Sequence, residues 1–365
     1  MFYKAIGLMS GSSLDGLDLV FAEYIESGGE WSYSIKAAAC YPYSEEWIER
    51  LTNATNLLAK DYLLLDAQYG KYTGDLVNQF IAENKLDHQV QLIGSHGHTS
   101  FHAPDLGFTG QLGNGATIAA VTGINTVSDL RMMDIALGGQ GAPIVPVGEK
   151  LLLKEYAYLL NIGGIANISS NKLSGIVAFD ICAANRVLNM LCNEVGKAYV
   201  DGGNMAASGQ LNTALLTELN ALDYYKQTYP KSLANNFGTE LVYPIVKSHQ
   251  LSIPDALKTY TAHIAMQVQY AVNNLHAQNP LPNAKLLVTG GGAHNQFLVS
   301  SIAKALQPYQ IEVVVPDTQL IDYKEALVMG LLAVLRWREE NTVLHSVTGA
   351  RRSSIGGAVW IGQEA

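Results

Sequence analysis

The chain has 365 residues, 48% of them hydrophobic and 15% charged, with a formal net charge of −9 at pH 7. That length favours two domains, and the acidic balance, with no basic run longer than the pair Arg351–Arg352, excludes a nucleic-acid footprint. No stretch reaches the roughly eighteen continuous apolar residues of a membrane span.

The first residues, MFYKAIGLMSGSS, read as an opening strand rather than a signal peptide. Residues 3 to 9 form that strand, SGSSLDG a glycine-rich turn, and LDLVFAEY a second strand. A third strand is expected over 31 to 39 and helices over 45 to 84, before QVQLIGSHG, a buried strand ending in glycine and polar residues. The same plan recurs at 156 to 170, YAYLLNIGGIANISS, again strand, glycine turn, strand. GIVAFD, 175 to 180, is a strand ending on a carboxylate, and NRVLNMLCNEV has helical spacing. Leu257, Thr261, Ile264, Val268, Ala271 and Leu275 recur every three or four residues, which predicts one long amphipathic helix from Pro254. AKLLVTGGGAHN, 284 to 295, is a buried strand breaking into three glycines, IEVVVP at 311 a last strand, and EALVMGLLAVLRW a largely apolar helix from Glu325.

Each half thus opens on a glycine-turned hairpin, which predicts two α/β lobes built alike. A turn of small residues exposes backbone N–H groups that can wrap phosphate oxygens. No G-x-x-x-x-G-K-[ST] is present and no G-x-G-x-x-G follows the first strand, so neither a P-loop nor a dinucleotide fold is expected. Two phosphate-embracing hairpins and a third glycine turn match instead the layout of the actin, hexokinase and Hsp70 type of ATPase, with ATP between lobes that close on it. The candidate nucleotide-binding residues are Gly11, Ser12, Ser13, Leu14, Asp15, Gly16, Leu17 and Asp18, then Gly163, Gly164 and Asn167, then Gly290, Gly291 and Gly292. Asp15 and Asp18 are candidates to hold Mg²⁺ through water, and plain turn aspartates otherwise. The expected lobes are 1–130 completed by 338–365, and 131–337. Cys40, Cys182 and Cys192, odd in number and without C-x-x-C spacing, fit a reduced, cytoplasmic setting.

GSHGHTSFHAP, 94 to 104, places His96, His98 and His102 close together, which raises the question of zinc. His96 and His98 would share a face if the strand continues, yet no cysteine or carboxylate in the segment completes a site.

Several stretches resemble the anhydro-N-acetylmuramic acid kinase family. GLMSGSSLDGLD at 7 to 18 is similar to the family's G-x-M-S-G-T-S-x-D-G-x-D, with Ser12 in place of threonine. GSHGHTSFHAP resembles its S-H-G-Q-T-x-x-H-x-P, with His98 in place of glutamine. VSDLRMMDIALGGQGAPIVP (127 to 146), NIGGIANIS, GGGAHN, DYKEAL (322 to 327) and SVTGA (346 to 350) continue the series in order along the chain. The resemblance implies an ATP- and Mg²⁺-dependent enzyme of cell-wall recycling, with a homodimer as the usual assembly. Its small-molecule substrate is 1,6-anhydro-N-acetylmuramic acid, whose ring is opened by water and whose O6 is phosphorylated. It also implies Asp180 as the base that activates water, and Glu325 as a group holding sugar and water. Arg131 matches a substrate-contacting arginine, within reach of the lactyl carboxylate, and His96, His98 and Thr99 a wall of the sugar pocket. Bland readings stand beside these: a strand-end aspartate at Asp180, a first-turn glutamate at Glu325 favoured by the helix dipole, and a salt bridge from Arg131 to Asp129 or Asp134. Where many members read F-D-T-G-P-G-N, this chain reads FDICAAN, 179 to 185. A kinase of the same superfamily acting on an intact amino sugar, such as N-acetylglucosamine, and a non-catalytic nucleotide-binding regulator are the alternatives.

Overall fold

The computed structural model describes residues 1–171, 176–199, 202–229, 231–234, 236–278 and 280–363. Packing divides the chain into two units, Met1–Leu153 with Tyr323–Ala365, and Lys154–Asp322. The boundaries expected at 130 and 337 lie elsewhere, for two physical reasons. Residues after 130 are tied to the C-terminal segment, where Gln140 N–H donates to the Thr348 carbonyl and Arg351 N–H to that of Leu137. Residues after 322 press helix Thr318–Trp337 onto the first unit's sheet at two glycines. A Cβ at Gly7 would collide with the Ala326 carbonyl, and one at Gly94 with that of Met329.

In the first unit β1 (Phe2–Ser10), β2 (Gly16–Ser27) and β3 (Glu30–Pro42) form an antiparallel meander. β4 (Leu92–Ala103) lies parallel beside β1, β5 (Phe108–Leu112) turns back on β4, and β6 (Asn125–Ser128) runs parallel to β4. The chain's last strand, Ala358–Trp360, pairs antiparallel with β6 and completes the sheet. Its core side chains Ile6, Leu8, Phe21, Ile93 and Leu112 cluster with Phe80, all at most 1% exposed. The helices expected over 45 to 84 are Glu45–Thr52 and Ala59–Glu83.

The second unit repeats the plan. β7 (Tyr158–Ile162), β8 (Ile165–Ser170) and β9 (Val177–Ala183) form the meander, with β10 (Lys285–Thr289) parallel to β7 and β11 (Glu312–Val314) parallel to β10. The strand expected over 175 to 180 runs instead from Val177 to Ala183, so Asp180 lies within β9 and not at its end, and Gly175 lies outside the described residues. Helix Ile253–Gln278 buries all six of its periodic positions, Leu257 through Leu275. Burial of an amphipathic stripe, not intrinsic propensity, is what stabilises such a helix.

Candidate active site

The first unit carries the glycine turn of residues 11–15, where the Ser13 hydroxyl donates to Asp15 Oδ1 at 2.7 Å and Leu14 holds a left-handed φ of 57°. Asp15 is exposed on this turn and Asp18 is half-buried in β2, opposite Met9 of β1. Among the described residues no three His, Cys, Asp or Glu side chains cluster as a metal site.

β4 does not stop at its glycine, as expected from the sequence, but runs on to Ala103 with Gly97 at φ 72°. The strand register shifts at this point against β1, and the two histidines take different partners. His98 Nδ1 bonds the Ser10 hydroxyl at 3.0 Å, and Ser10 in turn accepts from the Tyr43 hydroxyl at 2.7 Å. His96 Nε2 accepts from Arg131 Nε at 2.8 Å, which fixes its proton on Nδ1, where it donates to the Gly97 carbonyl at 2.8 Å. Burial, and then the Arg131 charge, push the His96 pKa down to about 3. His96 is therefore neutral, with both ring nitrogens engaged, and the zinc reading has no ligand set. The His102 ring bonds the Thr109 hydroxyl at 3.2 Å, and Thr99 is exposed on β4.

Arg131 also donates through Nη1 to the Gly141 carbonyl at 2.7 Å. These two bonds, rather than a salt bridge to Asp129 or Asp134, hold its guanidinium. Burial lowers its pKa to about 10, and the nearby Glu325 carboxylate opposes that shift. Arg131 and Glu325 thus lie close enough to interact. Glu325 sits two turns inside helix Thr318–Trp337, beyond the reach of the helix-end dipole, so the first-turn reading fails. Its neighbour Lys324 is 4% exposed and pairs with the buried Glu149 at 2.6 Å, which anchors this stretch of helix. A cavity of about 330 Å³ opens beside His96 and Asp129, with Asp66, Gln111, Asn114 and Trp360 in its wall. Sequence reasoning assigned no role to these four.

In the second unit Asp180 of β9 is gripped by the segment that follows residue 223. Its N–H donates to the Lys231 carbonyl at 3.2 Å, its carbonyl accepts from the Tyr224 hydroxyl at 2.7 Å, and Oδ2 accepts from Leu233 N–H at 2.8 Å. Burial raises its pKa, and the Leu233 amide partly opposes this. A cavity of about 520 Å³ is lined by its strand neighbours Phe179 and Ile181, and Asp180 is not part of its wall. On β8, Asn167 stands directly across from Asp180.

The glycine turns divide by what a side chain would meet. A Cβ at Gly292 would collide with Ile162, and one at Gly290 would come within 2.7 Å of Asn161 Oδ1, so both are glycine for close packing. At Gly163, Gly164 and Gly291 nothing lies closer than 3.5 Å, so crowding by the protein does not require glycine there. The FDICAAN stretch feeds this region: Ala184 and Asn185 N–H donate to the Gly164 and Gly163 carbonyls at 2.8 and 3.0 Å, and Asn185 Nδ2 donates to the Ile162 carbonyl at 3.1 Å. The altered turn keeps the hairpin tied to helix Asn185–Asn193.

Two α/β units of one strand order, each opening on a glycine turn between antiparallel strands, define the class: the two-lobed, actin-type ATPase fold. The family model for anhydro-N-acetylmuramic acid kinase matches residues 3–362. An anhydro-N-acetylmuramic acid kinase of Hydrogenovibrio crunogenus is 32% identical over 370 residues, covering 97% of each chain. One of Vibrio parahaemolyticus is 33% identical over 367 residues, covering 96% of each. A solved activator of 2-hydroxyisocaproyl-CoA dehydratase from Clostridium difficile, with bound ADPNP, aligns with TM-score 0.46 and 16% identity over 92% of this chain and 96% of its own. The chain belongs to the anhydro-N-acetylmuramic acid kinase family.

Proposed function

We propose that the protein opens 1,6-anhydro-N-acetylmuramic acid with water and phosphorylates O6 from ATP, giving N-acetylmuramic acid 6-phosphate and ADP. The observation that carries this reading is Asp180. It is a carboxylate with a burial-raised pKa, fixed through one oxygen by the Leu233 amide, with the other oxygen outside that bond. Such a group suits a general base for water attacking an anomeric carbon. The water oxygen bonds to C1 as Asp180 takes its proton, and the C1–O6 bond breaks. The O6 electron pair then attacks the γ-phosphorus, and the bond to the β–γ bridging oxygen breaks to release ADP. Phosphoryl capture of O6 replaces the acid that would otherwise protonate a leaving oxygen.

Arg131, held by His96 and Gly141, is read as the contact for the lactyl carboxylate, and Glu325 as a group that orients sugar and water. His98 and Thr99 are read as sugar contacts on β4. Gly163, Gly164 and Gly291 suit close approach of phosphate oxygens to backbone N–H groups. Asp15 is exposed and its carboxylate accepts from the neighbouring Ser13 hydroxyl, which fits an outer-sphere ligand, since Mg²⁺ keeps part of its water shell. With Asp18 it would hold Mg²⁺, which supplies charge neutralisation on the transferring phosphoryl group. The same reading makes the protein a cytoplasmic enzyme of cell-wall recycling and a homodimer.

The test is incubation with the anhydrosugar, ATP and Mg²⁺ in heavy-oxygen water, followed by mass analysis. A product carrying one phosphate and one labelled oxygen at C1 supports the reaction. Phosphorylation of an intact amino sugar instead, with the anhydrosugar untouched, would overturn it and direct attention to FDICAAN.

A further inference from the structure

We propose that Asp134 is a positioning residue for Arg131, setting the guanidinium through the turn that ends at Gly141. The inference rests on reading Arg131 as a substrate contact. Asp134 is 0% exposed, and among the described residues no ion pair accounts for a carboxylate at that depth. Both of its oxygens are used. Oδ1 accepts from the Thr348 hydroxyl at 2.7 Å and Oδ2 from Gly141 N–H at 2.8 Å. Its backbone carbonyl accepts Gly139 N–H at 2.9 Å, and a Cβ on Gly139 would overlap the carboxylate, so the turn lies directly on it.

The consequence for Arg131 follows bond by bond. The peptide nitrogen of Gly141 is held by Asp134, and the carbonyl of the same residue holds Arg131 Nη1 at 2.7 Å. Arg131 Nε is held by His96 at 2.8 Å. With Nε and one Nη1 hydrogen committed, the remaining N–H groups face a direction set by Asp134 and His96. A buried carboxylate with one oxygen on a turn amide and the other on a hydroxyl orients that turn, and misplacement of a binding group by about 1 Å can cost on the order of a hundredfold. The stretches DLRMMDIALGGQGAP and SVTGA, more than 200 positions apart in sequence, are thereby parts of one device, joined at Asp134 and Thr348.

A neutral amide can serve the same bonds. In Asp134→Asn the side-chain oxygen accepts from Gly141 N–H while the NH2 donates to the Thr348 hydroxyl, which accepts as readily as it donates. Asp134→Ala and Thr348→Val cannot preserve this arrangement.

Steady-state kinetics of the full chain with 1,6-anhydro-N-acetylmuramic acid, ATP and Mg²⁺ decide the matter, together with the exchange rate of the Arg131 Nε proton by NMR. Asp134→Ala is expected to raise the sugar KM at least tenfold while changing the ATP KM less than twofold, and to speed Nε exchange. Asp134→Asn and Thr348→Ser should stay within about threefold of wild type, and Thr348→Val should fall between. A folded Asp134→Ala with unchanged sugar KM and unchanged Nε exchange overturns the proposal. Should that variant not fold, Thr348→Val, which removes one donor only, takes its place with the same criteria. Arg131→Lys separates the two readings. If its sugar KM is unchanged, Arg131 is not a substrate contact, and the Nε exchange of Asp134→Ala alone judges the positioning. If Arg131→Lys raises the sugar KM and neither Asp134→Ala nor Thr348→Val does, the positioning fails and the contact stands.

Discussion

The backbone amide of Leu233 donates to Asp180 Oδ2 at 2.8 Å, joining the middle of β9 to a segment 53 positions further along the chain. One carboxylate oxygen is thereby pinned, and the Tyr224 hydroxyl pins the backbone of the same residue. If Asp180 is the base, Asp180→Asn should lower kcat by at least about 10²-fold, the usual contribution of general-base catalysis. Burial raises the Asp180 pKa, so the acid limb of wild-type kcat/KM should lie above the ordinary aspartate value of about 3.9. A group whose native pKa is raised favours the folded state below its unfolded pKa, and that contribution is lost as pH rises through the native one. At neutral pH the ionised carboxylate therefore costs stability, and the asparagine variant should melt higher than wild type. A variant that is both active and less stable would remove Asp180 from the mechanism.

Tyr224 offers a finer test of the same clasp. Tyr224→Phe deletes one hydrogen bond to the Asp180 carbonyl and should cost about 1 kcal/mol of stability. Its effect should fall on kcat, by roughly threefold to tenfold if the lost bond costs the transition state a comparable amount, with both KM values little changed. An unchanged kcat in a folded Tyr224→Phe protein would show that the Leu233 amide alone suffices.

Two buried histidines predict acid sensitivity. Burial holds His263 at about 3, and burial with the Arg131 charge does the same to His96. An unfolded histidine protonates near 6.5, whereas these two refuse the proton until about pH 3. Their contribution to stability is therefore present above about 6.5 and is lost as pH falls through that window, at roughly 1.4 kcal/mol per pH unit for each. His263 bonds Asn220 and Tyr225 and is not itself a proposed catalytic group. His263→Gln should flatten the fall in urea-unfolding stability between pH 6 and 5, even while lowering its starting value. A slope parallel to wild type would contradict the burial argument.

The periodic elements were legible because each buries a stripe or a face. The six positions from Leu257 to Leu275 gave helix Ile253–Gln278, and the apolar runs before each glycine turn gave β1, β7 and β10. β5 and β6 were not legible, since FTGQL and NTVS mix polar and apolar residues without a continuous apolar run, and Ala358–Trp360 finds its partner β6 across more than 200 positions. His96 and His98 could not be told apart by alternation, because a left-handed Gly97 interrupts the strand between them. Asp134 was legible only as a possible salt-bridge partner of Arg131, since its actual partners Thr348 and Gly141 meet it only in three dimensions. The grip of Tyr224 and Leu233 on Asp180 lay out of reach for the same reason. The residue types of the site were visible, and the bonds that orient them were not.

The glycine turns of the second unit yield the last expectation, because the structure separates glycines that packing requires from those it does not. A Cβ at Gly292 would overlap Ile162, and overpacking of this kind costs about 1–3 kcal/mol. Gly292→Ala should therefore lower the melting temperature by several degrees, whatever it does to catalysis. At Gly163 and Gly291 a Cβ meets nothing closer than 3.5 Å, so alanine there should leave melting within about a degree of wild type. If phosphate oxygens approach these positions, the added methyl group falls in their way. The ATP KM should then rise about tenfold, equivalent to about 1.4 kcal/mol, with the sugar KM unchanged. Melting curves and ATP saturation on the three variants check the partition. Unaltered ATP KM values in Gly163→Ala and Gly291→Ala together would mean that the nucleotide binds elsewhere, and that these glycines serve only the turn geometry.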